Sequence, residues 1–234
     1  TIDNDVPFVK RSFGFTTAVD TASSIIDSAH TEAQSVHNGI GLVKLMGRHA
    51  GFIAAAATVA NQDVNFCLIP EVPFELEGER GFLAALEARL LERRHAVVVV
   101  AEGAGQDLIA GETSAKDASG NVVLQDIGLY LREKILAHFA QRGTPALVRY
   151  IDPSYHIRGC VANVEDSVLC DRFARHAVHA AMAGKTGLII GLVSGKFVHV
   201  PIELLDTVKK RVEPEKELWQ SVLAATGQPA SMPG

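Results

Sequence analysis

The sequence predicts an α/β fold with helices layered on a mostly parallel sheet. Two observations carry this. Short apolar runs alternate along the chain with longer segments of helical periodicity, the pattern of strands linked by helices. The clearest run, His95 to Ala101 (HAVVVVA), is β-branched and apolar on both faces, as a strand inside a covered parallel sheet must be.

The elements follow in order. Residues 16–37 place Ala18, Ile25, Ala29, Ala33 and Val36 near helical spacing, and Asn38-Gly39 supplies the stop. Ile40 to Met46 is short enough for a buried strand. Ala50 to Ala60 reads as a helix and Phe66 to Ile69 as a strand ended by Pro70. Gly81 to Leu91 is a helix with Leu83, Leu86 and Leu90 on one face. After the His95–Ala101 strand, residues 103–121 are rich in Gly, Ser, Ala and Asp and read as a long loop or flexible flap. Leu124 to Ala140 is an amphipathic helix, Ala146 to Ile151 a strand and 164–183 a helix. Leu188–Val193 and Lys196–Val200 are strands joined by Ser194-Gly195, a hairpin signal. Leu218 to Ala225 is a last short helix before a frayed tail. No internal repeat is evident.

Composition narrows the function classes. The 234 residues allow one large domain or two small ones. With 47% hydrophobic and 21% charged residues, most of the chain is expected to be ordered. The net charge of −5 argues against a nucleic-acid partner. No apolar run approaches the roughly 18 residues of a membrane span, so no membrane partner is expected. Cys67, Cys160 and Cys170 are odd in number and widely spaced. They imply neither a disulfide framework nor a zinc knuckle, and fit a reducing, cytoplasmic setting. Cys67 and Cys170 lie in apolar surroundings and are expected to be buried and inert. The opening residues carry no Met and no signal-peptide pattern, so the sequence reads as a piece whose upstream part is missing.

In an α/β fold, ligands sit beyond the carboxyl ends of the strands. Met46-Gly47-Arg48 follows the first strand. Its glycine permits close backbone approach, its arginine offers a planar fork for phosphate or carboxylate, and the next helix offers free N–H groups to an anion. A plain strand-to-helix turn with a solvated arginine fits the same residues. Glu102-Gly103 follows HAVVVVA, where a carboxylate can accept from sugar hydroxyls or simply cap a helix or pair in a loop. Gly103-Ala104-Gly105 lacks the third glycine of a dinucleotide loop, since Leu108 stands at that place. Tyr155 and Arg158, three apart, would share one face of a helical turn and suit a sugar phosphate, although Arg158 could also pair with Asp152. Asp3 and Asp5 would point to one side of an extended segment and could hold Mg²⁺ or divide into a base and an electrostatic partner. His95, His176 and His179 have no metal-ligand spacing to other donors, so no metal-binding residues are assigned. No nucleophile elbow, HExxH or Walker-type loop occurs.

Taken together, TIDND at 1–5, FGFTTAV at 13–19, KLMGRHAGFIA at 44–54, LIPEVPF at 68–74, VAEGAGQ at 100–106, YIDPSYHIR at 150–158, AVHAAMAG at 177–184 and VPIELL at 200–205 resemble the phosphofructokinase family. The wording is similar to the plant and trypanosomatid ATP-dependent subgroup and its bacterial relatives. The resemblance implies two Rossmann-like three-layer lobes with mostly parallel sheets, here without much of the N-terminal, donor-binding lobe and its Gly-Gly-Asp-Gly loop. Residues 1–15 would end that lobe and 16–160 would form the sugar-phosphate lobe. Residues 161–200 would return to the donor lobe, and 201–234 would finish on the sugar-phosphate lobe.

The implied activity is phosphoryl transfer from ATP to the 1-hydroxyl of fructose 6-phosphate, with Mg²⁺. Pyrophosphate is the alternative donor, and a non-catalytic sugar-phosphate-binding subunit the alternative role. The resemblance makes Asp3 the base and Asp5 a second acid beside it. It places Arg48 near the transferred phosphoryl and Thr1, Met46 and Gly47 on the sugar. Glu102 would take the sugar hydroxyls, and Tyr155 with Arg158 the 6-phosphate. A homodimer or homotetramer is implied. Three departures stand out: His37-Asn38-Gly39 where short bacterial members have an inter-subunit arginine, Ser167 where they have a second phosphate-binding arginine, and Lys44 in place of an acidic residue. The subunit contacts and effector sites of those enzymes are therefore not carried over.

Overall fold

The computed structural model describes residues 2–109 and 123–234. Four strands, β1 (Gly39–Leu45), β2 (Phe66–Leu68), β3 (His95–Ala101) and β4 (Leu147–Ile151), form a sheet in the order β2-β3-β1-β4. Every pairing is parallel, with Leu45 of β1 level with Ala101 of β3 and Val43 level with Ile151 of β4.

Side chains alternate between the two faces of a strand, and both faces are covered. Val43 and Leu45 with Val97, Val99 and Ala101 pack on α1 (Phe15–Gln34) and α2 (Phe52–Asn61). Ile40, Leu42, Val98 and Val100 pack on α3 (Phe82–Arg93) and α4 (Ile127–Gln141). Burial on both sides explains why HAVVVVA shows no alternation. Small residues on α1, Ala18, Ala22, Ala29 and Ala33, are all buried and let the helix lie close on β1. The last helix, α7 (Glu217–Thr226), adds Trp219 and Val222 to the first core, beside α2.

Two further elements lie outside this sheet. β5 (Leu188–Val193) and β6 (Lys196–Pro201) form an antiparallel hairpin. Its turn residues Ser194 and Gly195 both have positive φ, 49° and 79°, the handedness that suits a tight hairpin. α6 (Val164–Met182) packs on it through Phe173 and His176 against Phe197.

Boundaries move for local reasons. The helix expected over 16–37 ends at Gln34, and residues 35–38 form the turn, with Asn38 at φ 55°. The helix expected from Leu124 starts at Ile127, because Asp126 is its N-cap and accepts from the Leu129 N–H at 3.0 Å. Residues 106–108 of the expected loop form a 3₁₀ turn, and residues 110–121 of that loop lie outside the described residues. The short helix α5 (Ser154–Gly159) carries Tyr155 and Arg158.

The cysteines are free. Cys67 is buried, and its burial pushes the thiol up to about 12. Cys170, expected buried, is only half-buried, because most of the α6 surface is open. At the β2 edge, the Cys67 N–H donates to Gln228 Oε1 at 2.6 Å and Gln228 Nε2 donates to the Cys67 carbonyl at 3.2 Å. No helix among the described residues is long and apolar enough to cross a membrane.

Candidate active site

Parallel register brings the strand ends together. Leu45 and Ala101 are level, so Met46-Gly47-Arg48 and Glu102-Gly103 leave the sheet side by side. The Glu102 N–H donates to the Leu45 carbonyl at 2.9 Å and the Gly103 N–H to the Gly47 carbonyl at 3.2 Å. Glycine is required at both contacts. A Cβ on Gly103 would lie 2.0 Å from the Arg48 carbonyl oxygen, and Gly47 has φ 134° with a Cβ position 2.7 Å from the Ala50 carbonyl oxygen.

The first turn of α2 differs from expectation. The Gly51 N–H is taken by the Glu71 carboxylate at 3.0 and 3.1 Å, and the same carboxylate accepts from the Val212 N–H at 2.9 Å. An internal carboxylate therefore occupies the anion position that sequence alone left open at this helix start.

β4 ends one strand away, and α5 follows. Ile157 is buried in the first core and anchors the helix. Tyr155 and Arg158 lie on the outer face, as their spacing predicts, with Tyr155 90% exposed. Arg158 does not pair with Asp152 as the ordinary reading allowed. Its Nε lies 3.3 Å from Met46 Sδ, which joins α5 to the loop after β1.

The acidic pair approaches from the N-terminal segment. It is not extended: Ile2 and Asp3 form a turn and Asn4 has φ 61°. Asn4 tolerates that conformation, and its Oδ1 accepts from the Ser12 N–H at 3.0 Å. The turn, rather than strand alternation, brings the carboxylates into each other's field. Burial above all, then the charges of Asp5 and Glu102, push the Asp3 carboxyl up to about 6, while Arg158 pulls it down. Asp5, Glu102 and Arg158 thus all act on Asp3. Thr1 lies outside the described residues.

Two lysines emerge that spacing did not reveal. Lys210 donates to the Val9 carbonyl at 3.1 Å and the Lys10 carbonyl at 3.3 Å, and its ammonium lies 5.0 Å from the Phe52 ring centre. Burial lowers it to about 8 against the pull of Asp5. Lys44, visible in the sequence only as an oddity before MGR, bonds Asp126 at 2.7 Å and Asp152 at 2.9 Å.

Among the described residues, no three His, Cys, Asp or Glu side chains are placed to hold a metal ion. Mg²⁺, however, usually takes only one or two carboxylates and completes its shell with phosphate oxygens and water. Asp5 fits that mode, since its Oδ1 is buried without a hydrogen-bond partner.

A three-layer α/β lobe with its charged groups gathered at the carboxyl ends of parallel strands is the class of protein that seats small anionic or polar ligands at that edge. The comparisons narrow this class. The phosphofructokinase family model matches residues 1–181. The chain is 51% identical to the ATP-dependent 6-phosphofructokinase of Borreliella burgdorferi, covering 99% of this chain and 53% of that protein. It is 49% identical to ATP-dependent 6-phosphofructokinase 1 of Arabidopsis thaliana, covering 99% and 50%. The crystal structure of a pyrophosphate-dependent phosphofructokinase from Marinobacter aquaeolei shares the fold, with TM-score 0.71, 22% identity and coverage of 100% of this chain and 59% of that one. The chain belongs to the phosphofructokinase family. It spans about half the length of the curated relatives it matches.

Proposed function

We propose that this chain is part of an ATP-dependent 6-phosphofructokinase that transfers the terminal phosphoryl of ATP to the 1-hydroxyl of fructose 6-phosphate in glycolysis. The observation that carries the proposal is Asp3. A carboxyl raised to about 6 by burial and by Asp5 and Glu102 is suited to accept a proton near neutral pH. Identity near 50% to enzymes named ATP-dependent favours ATP over pyrophosphate.

In this reading Asp3 accepts the hydroxyl proton as that oxygen attacks the terminal phosphorus and the bond from phosphorus to the bridging oxygen breaks, releasing ADP. Such transfers depend on in-line placement and neutralised charge more than on covalent help. Arg48 faces the transferred group. Thr1, Met46 and Gly47 line the sugar, Glu102 accepts from its hydroxyls, and Tyr155 and Arg158 grip the 6-phosphate. Mg²⁺, when bound, would neutralise charge on the phosphoryl oxygens, with Asp5 as the ligand from this part of the chain.

Residues 1–15 and 161–200 belong in this reading to a donor-binding lobe, and 16–160 and 201–234 to a sugar-phosphate lobe. An apolar cleft of about 630 Å³ lined by Val9, Phe13, Phe173, Ala177 and Ile190 supports the division. None of its lining residues belongs to the two cores of the four-stranded sheet, and in this reading it would be filled by the rest of the donor lobe. The complete protein is cytoplasmic and a homodimer or homotetramer in this proposal.

The test is a product assay on the chain extended to the full length of its relatives. Fructose 6-phosphate and Mg²⁺ are supplied with ATP or pyrophosphate in parallel. Fructose 1,6-bisphosphate from ATP alone is expected. Product from pyrophosphate alone would transfer the assignment to the pyrophosphate-dependent enzyme. Sugar-phosphate binding with no product from either donor would make the protein a regulatory subunit.

A further inference from the structure

We propose that Lys44 is a positioning residue for sugar-phosphate binding: through Asp152 it holds the helix that carries Tyr155 and Arg158. The inference rests on the reading of those two residues as the 6-phosphate grip.

Lys44 lies one residue before the end of β1, on the sheet face of Leu42, Val98 and Val100, all of them fully buried. A largely buried ammonium there is unfavourable unless it is paired. It is paired twice. Nζ lies 2.7 Å from Asp126 Oδ2 and 2.9 Å from Asp152 Oδ2, and 5.9 Å from the Tyr150 ring centre. The Tyr150 hydroxyl donates to both Asp126 oxygens, at 2.9 and 3.0 Å, so the Asp126 side of the pair is itself held. Burial opposes the charge on Lys44, yet the bonds to Asp126 and Asp152 outweigh it and raise its pKa. The cation is therefore a fixed point.

From that point Asp152 works in two directions. Its Oδ2 faces Lys44, and its Oδ1 accepts from the N–H and the hydroxyl of Ser154, the first residue of α5. α5 has only six residues, too few to hold its own conformation. Its place is set by Ile157 from below and by the Asp152 link at its start. The strand that supplies Lys44 continues directly into Met46-Gly47-Arg48. One lysine thus gives a common reference to the loop after β1 and the helix after β4. Without it, Tyr155 and Arg158 lose their alignment with that loop, and Asp3 feels the change through the charge of Arg158, the smallest of the influences on its carboxyl.

The experiment uses the full-length enzyme and three variants, Lys44→Met, Lys44→Arg and Asp152→Asn, with Asp152→Asn serving if Lys44→Met does not fold. Steady-state kinetics with ATP are paired with calorimetric titration of fructose 6-phosphate, which reports binding whether or not turnover occurs. Lys44→Met is expected to raise KM and Kd for fructose 6-phosphate about tenfold or more, leaving kcat and the KM for ATP within about threefold. Lys44→Arg should restore part of the loss. Asp152→Asn should act in the same direction, and the double variant Lys44→Met with Asp152→Asn should be no worse than the stronger single change. Unchanged sugar-phosphate affinity in Lys44→Met and Asp152→Asn would overturn the proposal. So would additive effects, or a loss confined to kcat. Failure of the underlying reading would show differently, as a wild-type enzyme that neither turns over nor binds fructose 6-phosphate.

Discussion

The four-stranded sheet and the β5–β6 hairpin are written in similar residues, yet only one of them is covered. Leu42, Val43 and Val97 to Val100 are fully buried between helices. LIIGLV of β5 is buried only at Gly191. α6 leaves Val164 80% and Met182 83% exposed and buries Asp166, Leu169 and Ala180. β-branched runs make strands in both places; what differs is whether the same stretch of chain also supplies the second layer. The sheet receives α1, α2 and α7 on one side and α3 and α4 on the other. The hairpin receives α6, and the apolar cleft beside it awaits the proposed remainder of the donor lobe.

The largest expected contrast is in amide exchange. In the 234-residue chain, β1 and β3 amides should exchange at least about a thousandfold more slowly than those of β5 and β6, read by mass spectrometry at peptide resolution. Equal protection would erase the contrast. Extension to full length should slow β5 and β6 selectively.

Side-chain truncation sharpens it at single residues. Phe82→Ala, in the second core, should cost about 3–5 kcal/mol in denaturant unfolding. Val178→Ala on α6, exposed here, should stay within about 0.5 kcal/mol in this chain and cost more at full length. A similar cost in both lengths would mean that the α6 surface is not an internal one.

The smallest contrast concerns Asp3, in the segment between the two regions. Its folded carboxyl is raised to about 6, from 3.8. The folded state therefore resists ionisation. The penalty is absent below about pH 4, develops between pH 4 and 6, and is complete above 6. Asp3→Asn should accordingly raise Tm by a few degrees at pH 8, with the gain vanishing by pH 4. In the complete enzyme, kcat/KM should fall as the pH drops through the raised Asp3 pKa, and Asp3→Ser should lose about 10²–10⁴-fold in turnover. A gain in Tm independent of pH would remove the electrostatic basis of the assignment.

Much of this edge is legible in the sequence, because strand ends are marked by composition. HAVVVVA names β3, and its successor Glu102 must then lie at the carboxyl edge of the sheet. Tyr155 and Arg158 share a face because their spacing is helical. What stayed hidden depends on residues far apart in sequence. Glu71 occupies the α2 start from 20 positions away, and Lys44 finds Asp126 across 82. No local pattern encodes either pairing. For two charges two apart, alternation along an extended segment is the default. Asn4 overrides it with a left-handed turn that asparagine permits but does not announce. Cys170 is half-open for the reason that separates the two regions: neighbouring apolar residues foretell a wish for burial, not the partner that grants it.

The tie between Gln228 and Cys67 has a consequence for solubility. β2 is an outer strand, and an outer strand offers its free peptide groups to any passing chain that can form another. The primary amide of Gln228 presents one N–H and one carbonyl to Cys67 in the manner of a single peptide unit. It acts as a one-residue strand that satisfies the edge and cannot be extended into a ladder. A tail that looks frayed in sequence thus caps this edge of the sheet, and its loss would leave β2 a template for intermolecular β-pairing.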